Sequence, residues 1–120
     1  MTHNMKLWQD AFYKIAEGSK TIELRLNDEK RQKISVGDTI VFNCTKNYDV
    51  ITAKVMALHK FIDFKELYES LPLDKCGYGC DELASAYYTD MYDYYNKEQI
   101  KKYGVLGIEL CDISFSQNCT

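Results

Sequence analysis

Four polar residues between positions 20 and 25 carry groups that can bind anions and transfer protons. In a strand, the period of two places Thr21, Glu23 and Arg25 on one face, with successive residues about 7 Å apart. Lys20 has the opposite parity, but it stands at the start of the segment, where the alternation need not hold. Arg25 offers a planar fork of donors and Lys20 a compact charge, while Glu23 can orient the arginine or act as a general base. The set can hold a phosphate or the edge of a base. The alternative is a row of ion pairs on an exposed strand.

A helix and a strand are predicted to position these residues. Apolar residues at helical spacing, followed by a glycine of the kind that ends helices, predict a helix over residues 9–17. Alternating apolar and polar residues predict a strand over residues 20–26. The apolar residues are Trp8, Phe12 and Ile15 in the helix, and Ile22, Leu24 and Leu26 in the strand. The strand should therefore bury one face and present the polar residues on the other.

The remaining patterns predict three more strands and three more helices. They are strands over residues 39–44, 50–62 and 104–115, and helices that open at Asp63, span residues 81–95, and open at Asn96. The helix over residues 81–95 is predicted from the apolar stripe Leu83, Tyr87, Met91 and Tyr94. Two of these helices begin with the spacing of a capping box. Helices inserted between strands, without regular βαβ alternation, favour an α+β fold with a curled mixed sheet.

The composition is that of an ordinary globular protein. Apolar residues make up 46% and charged residues 28% of the 120 positions, which argues against disorder. We expect one domain over residues 1–120, with residues 116–120 frayed. No apolar run reaches the roughly 20 residues of a membrane span, and no signal peptide opens the chain. These features favour a cytoplasmic protein without a membrane partner.

The net charge of −3 conceals an asymmetry along the chain. Residues 1–62 carry ten Lys and Arg against seven Asp and Glu, whereas residues 63–98 carry three Lys against nine Asp and Glu. An acidic protein binds nucleic acid poorly without specificity, since backbone affinity depends on phosphate neutralisation. A local basic face remains compatible with binding. Lys30, Arg31 and Lys33 either follow a phosphate backbone or form a solvated loop.

Five cysteines and a tyrosine-rich second half leave further alternatives open. Cys76 and Cys80 flank a short glycine-containing segment that could form half of a zinc site. No second pair of ligands is apparent, and structural zinc takes four, so free thiols without a metal are expected. No cofactor motif is present. The tyrosines could stack on bases or pack a helix onto the sheet. Glu109 either reaches the site as a second carboxylate or faces water.

Three segments together resemble a known family. They are Gly18-x-Lys20-x-x-Glu23-x-Arg25, Ile34-x-x-Gly37-Asp38-x-Ile40-x-Phe42, and the run Tyr103 to Ile108. In this order and spacing the sequence resembles the ASCH (activating signal cointegrator homology) domain over roughly residues 3–113. The resemblance implies a PUA-like mixed or antiparallel barrel with helices packed around it. It also implies a cleft lined by the Lys, Glu and Arg of the first segment.

The family resemblance implies RNA binding, by similarity to PUA domains. Some bacterial relatives hydrolyse the acetyl amide of N4-acetylcytidine and carry a Thr nucleophile where this chain has Glu23. A carboxylate would have to replace an alcohol there, which disfavours the same reaction. Three function classes follow. The first is an RNA- or nucleotide-binding module using Lys20, Thr21, Glu23 and Arg25. The second is a hydrolase of a modified nucleoside or RNA, with Lys20 and Glu23 as the acid/base pair. The third is a protein-interaction domain.

Overall fold

A computed structural model describes residues 1–117, so residues 118–120, including Cys119 and most of the tail predicted to fray, lie outside the described residues. Residues 1–117 form five strands and three α-helices. The strands are β1 (Thr2–Leu7), β2 (Ile22–Leu26), β3 (Thr39–Cys44), β4 (Val50–Phe61) and β5 (Val105–Ser116). The helices are α1 (Gln9–Ala16), α2 (Phe64–Ser70) and α3 (Lys97–Tyr103).

The strands form one curled mixed sheet in the order β1-β3-β4-β5-β2. β1 pairs in parallel with β3, and the other three pairs are antiparallel. β4 and β5 are both 12 residues long and shift register twice along their pairing, as expected where a sheet bends. The sheet is a half-barrel with helices around it, which confirms the predicted α+β fold. Its edge strands are β1 and β2; the sequence patterns did not predict β1.

Local capping explains why the helices begin and end where they do. The Asp63 carboxylate accepts a hydrogen bond from the Glu66 amide, and Asn96 and Gln99 form a reciprocal capping box at the start of α3. α1 ends at Ala16, and Gly18, two residues later, has a φ of +90°, the left-handed conformation that favours glycine after a helix. These capping interactions match the predicted starts of α2 and α3 and the predicted end of α1.

The helix predicted over residues 81–95 is absent. In its place the chain makes two short 3₁₀ turns, Leu83–Ser85 and Tyr88–Asp93, separated by extended backbone at Tyr87. Of the predicted apolar stripe only Met91 is buried, because the tyrosines of the stripe keep much of their surface in water. A stripe that buries one of its four residues cannot offset the cost of ordering a helix rich in Asp and Tyr.

Two clusters of buried side chains hold the layers together. One joins α1 to the sheet around Phe12, Ile40 and Phe42. The other packs α2, α3 and the inward side of β2 around Phe64 and Leu67. Within residues 1–117, no helix is long and apolar enough to cross a membrane.

Candidate functional site

A cleft of about 1100 Å³ opens between the two edge strands, β1 and β2. These strands do not pair with each other, but the Arg25 side chain of β2 bridges them. Its Nη2 donates a hydrogen bond to the Lys6 carbonyl of β1 at 2.9 Å. Arg25 therefore lines the cleft and also links the two sides of the half-barrel where the backbone ladder is open.

Lys20, Glu23 and Arg25 meet inside this cleft and form what we term the ion triad. Glu23 Oε1 lies 2.9 Å from Lys20 Nζ, and Glu23 Oε2 lies 2.7 Å from Arg25 Nε. The residues Lys20 and Glu23 are only 8% and 4% exposed. Each carboxylate oxygen thus binds a different cation, so Glu23 is the centre of the triad.

The triad keeps Glu23 ionised. Burial by itself would raise the pKa of the Glu23 carboxyl, but the charges and hydrogen bonds of Lys20 and Arg25 outweigh burial and hold it at about 2. Burial alone would lower the pKa of Arg25, but the negative charge of the neighbouring Glu23 outweighs burial and raises it. With two cations and one carboxylate, the ion triad brings a net charge of one positive unit into the cleft.

The backbone around Lys20 explains how a residue of the wrong strand parity reaches the site. β2 begins at Ile22, so Lys20 lies in the preceding connection, where its amide donates to the Lys14 carbonyl of α1 at 3.0 Å. Gly77 packs against the aliphatic part of its side chain: a Cβ at position 77 would lie 3.3 Å from Lys20 Cδ. Gly77 also has a φ of +110°. The glycine is needed for close approach to the lysine.

Residues 76–78 form a wall of the cleft. The Gly77 carbonyl accepts a hydrogen bond from Lys14 Nζ at 2.7 Å. Cys76 is buried beside the triad, whereas Cys80 is exposed. Among residues 1–117 no group of three or more His, Cys, Asp or Glu is arranged to hold a metal ion.

Aromatic side chains line much of the remaining cleft. Tyr68 and Tyr78 share a hydrogen bond of 2.6 Å between their hydroxyls, and the Tyr78 hydroxyl donates to Asp90 at 2.7 Å. Burial raises the pKa of Tyr68 to about 12 and, together with these partners, raises that of Tyr78 further. Both hydroxyls stay neutral donors and acceptors. Trp8 and Tyr94, by contrast, are 71% and 65% exposed and present ring surface to the cleft opening.

The cleft is mixed in charge. Its cations are Lys6, Lys14, Lys20 and Arg25, and its carboxylates are Asp10, Glu23, Glu82, Asp90 and Asp93. Lys14 lies 3.6 Å from Glu82. A lining with five carboxylates does not suit a long polyanion, whereas a small ligand with both an anionic group and hydrogen-bond donors matches it.

Three other residues that the sequence suggested for the site, Thr21, Glu109 and Arg31, lie outside the cleft. The Thr21 side chain does not line the cleft; its backbone joins Lys75 and Leu110, donating to the first and accepting from the second. Glu109 pairs with His59 on the sheet at 2.9 Å. Arg31 of the basic loop pairs with Asp28 at 3.3 Å. The structure therefore brings three of the four predicted site residues together and leaves Thr21 outside.

The part of the site that comes from distant segments was not predicted from the sequence. Trp8 was placed on the apolar stripe of α1, but it precedes the helix and points outward. Two glycines within five residues in segment 76–80 indicated a close backbone approach, although not its partner. Tyr68, Tyr78 and Asp90 gave no local signal, because their association depends on tertiary packing.

Comparison with known proteins agrees with this architecture. A model of the ASCH domain matches residues 5–114. The chain belongs to the ASCH domain family. This confirms the resemblance inferred from the three sequence segments. No curated protein matches the chain.

The solved structures that resemble this chain include the following three. The crystal structure of hypothetical protein PH0355 is 33% identical, with a TM-score of 0.76 over 92% of this chain and 97% of that one. Protein PF0455 from Pyrococcus furiosus, solved by NMR, is 32% identical, with a TM-score of 0.66 over 92% and 96%. A ZmASCH mutant from Zymomonas mobilis is 18% identical, with a TM-score of 0.64 over 91% of this chain and 66% of that one. The last comparison shows the fold alone.

Proposed function

We propose that the cleft binds a nucleotide or a short single-stranded RNA, without catalysing a reaction on it. The observation that supports this most is the ion triad, which places one net positive charge at the base of an aromatic-lined cleft. Membership in the ASCH family, whose domains resemble RNA-binding domains, supports the same class of ligand.

In this proposal the triad recognises an anionic or acceptor group of the ligand. A lysine ammonium has three N–H donors and an arginine guanidinium five. Glu23 engages one donor of Lys20 and one of Arg25, and the Lys6 carbonyl engages a further donor of Arg25. The remaining donors serve a phosphate or a base carbonyl, held in place because Glu23 fixes both cations.

The aromatic lining serves the base of the ligand. Tyr94 lines the cleft and is 65% exposed, so its ring is open to a base. Base–aromatic stacking contributes about 1–3 kcal/mol per base. The carboxylates of Asp90 and Asp93 supply acceptors for the amino groups of a base, and they repel additional phosphates. A ligand of one or a few nucleotides satisfies this lining better than a long duplex.

Three features of the cleft weigh against the alternative, a hydrolase of a modified nucleoside. A general base works best when its pKa lies near the operating pH, whereas that of Glu23 is about 2. Burial raises the pKa of the Cys76 thiol to about 11, which leaves little thiolate. Among the described residues that line the cleft there is no serine or threonine.

Titration of the four nucleoside monophosphates and short RNAs tests the proposal. Trp8 is the sole tryptophan of the chain and lines the cleft, so quenching of its fluorescence reports binding directly. Lys20→Ala and Arg25→Ala should each weaken binding by about 1.5–3 kcal/mol, the range for hydrogen bonds to charged groups. Lys101→Gln, on the exposed surface of α3, is the matched charge control and should have no effect.

A folding control is needed because the triad is buried. Circular dichroism and thermal unfolding must show that each variant is folded at the assay temperature. A test for hydrolysis then separates binding from catalysis. Incubation with acetylated nucleosides should release no acetate. If the wild type releases acetate and folded Glu23→Gln does not, the hydrolase replaces the binding proposal. If the wild type binds none of these ligands at low salt, both proposals are wrong.

A further inference from the structure

A second cavity, of about 550 Å³, adjoins the cleft on the side of β1. We name it the Trp8 ledge; its lining residues are Lys6, Trp8, Gln9, Thr45 and Lys46. The first three of these residues also line the cleft. The two cavities are therefore adjacent, and both are lined by Trp8.

The backbone of the Trp8 ledge is fixed by the ends of two paired strands. The Thr45 amide donates to the Leu7 carbonyl at 3.0 Å, which extends the pairing of β1 with β3 beyond their last residues. On the other side, the Lys6 carbonyl accepts the hydrogen bond from Arg25. The ledge is thus tied both to the sheet and to the ion triad, so its position relative to the cleft is set by the fold.

The Trp8 ledge differs from the cleft in charge. Its charged lining residues are Lys6 and Lys46, both exposed, and none of its described lining residues is a carboxylate. Trp8 beside them is 71% exposed, although an indole of this size normally packs against other residues. Two cations flanking an exposed aromatic ring match a phosphodiester next to a stacked base.

Building on the proposed function, we propose that the Trp8 ledge is a second nucleotide subsite, which makes the preferred ligand a single-stranded RNA of at least two nucleotides. One nucleotide occupies the cleft at the ion triad. The base of its neighbour stacks on Trp8, and the phosphodiester that joins the two is bound by Lys6 and Lys46. The charge pattern supports this order, because the RNA strand leaves a cleft rich in carboxylates toward a cavity whose charged lining residues are both lysines.

The subsite makes affinity depend on ligand length. RNA tetramers should bind more tightly than mononucleotides, and their binding should weaken more with added salt. Loss of the stacked base in Trp8→Ala should reduce tetramer affinity about 5- to 150-fold, the range for one base–aromatic stack. Trp8→Phe should retain most of that affinity because it keeps an aromatic face. Lys46 lines the ledge but not the cleft. Lys46→Gln should therefore leave mononucleotide binding unchanged. For tetramers, it should reduce the slope of log affinity against log salt concentration by about 0.7.

The experiment is calorimetric titration of the wild type, these three variants and Lys101→Gln. The ligands are the four nucleoside monophosphates, tetramers of A, C and U, and a glutamate tetrapeptide as a non-nucleotide polyanion. Tetramer affinity that falls in Trp8→Ala and Lys46→Gln but not in Lys101→Gln supports the subsite. Equal affinity for mononucleotides and tetramers, or unchanged tetramer binding in Trp8→Ala and Lys46→Gln, overturns the subsite and leaves the proposed function intact. Tight binding of the peptide points to a protein partner and overturns it too. Absence of all binding overturns both proposals.

Discussion

Replacing Glu23 with glutamine removes the centre of the ion triad while keeping its shape. The folded protein holds the pKa of Glu23 at about 2, against an ordinary value of 4.5. At about 1.4 kcal/mol per pKa unit, this difference corresponds to about 3 kcal/mol of folding free energy at neutral pH. The variant also leaves two cations in a buried site without their partner, a change that typically costs about 3–5 kcal/mol. We therefore expect Glu23→Gln to lower the free energy of unfolding by at least about 3 kcal/mol.

The pH dependence gives a second and independent signature. Below pH 4.5 the unfolded chain takes up a proton at Glu23 that the folded protein does not take up until about pH 2. The stabilisation by Glu23 is therefore complete above this interval and is lost as the pH falls through it. Urea unfolding of both proteins at a series of pH values should show wild-type stability approaching that of the variant as the pH is lowered.

Glu82→Gln is the matched control, because Glu82 also lines the cleft and pairs with a lysine, but its side chain is 50% exposed. Its effect should be far smaller, since exposed pairs are screened by water and salt. A loss below about 1 kcal/mol in Glu23→Gln, or parallel pH profiles for Glu23→Gln and the wild type, would refute the argument that the triad stabilises the fold.

Three further outcomes follow from the geometry. Gly77→Ala should destabilise the protein by about 1–3 kcal/mol in urea unfolding, because a φ of +110° strains any residue with a Cβ. A hydrogen bond from His3 is the main cause that lowers the pKa of Asp38 to about 2, so Asp38→Asn should reduce the loss of stability that the wild type shows between pH 3.8 and 2 in acid unfolding. Burial raises the pKa of Cys76 to about 11, so mass spectrometry should find Cys80 alkylated long before Cys76; equal rates would contradict the buried placement.

Local sequence signals predicted the elements that depend on local physics. Strand β3 has the predicted bounds, because strict alternation of buried and partly exposed residues needs no information beyond the strand itself. The starts of α2 and α3 follow from side chains that cap a backbone amide three residues away. Likewise, Lys20, Glu23 and Arg25 come together because all three lie within one short segment.

The parts that depend on distant contacts were not predictable in the same way. β1 is held by parallel pairing with β3, more than 30 residues along the chain, and only Met5 and Leu7 of its six residues are buried. The error over residues 81–95 has a related cause. Tyrosine was counted as apolar, yet Tyr87 and Tyr94 leave more than half of their surface exposed. The cleft wall that Tyr94 helps to form could not be assigned before its packing was known.

Glu23 links the stability of the fold to the chemistry of the cleft. Its two oxygens fix Lys20 and Arg25, and Arg25 in turn connects β2 to β1 across the open side of the sheet. A carboxylate that is ionised and doubly paired has little capacity to accept a proton from a substrate. It is well suited to hold two cations in one geometry before a ligand arrives, which reduces the entropic cost of binding. The same residue therefore favours a rigid binding site over an acid/base pair, and the outcome for Glu23→Gln bears on both the fold and the function.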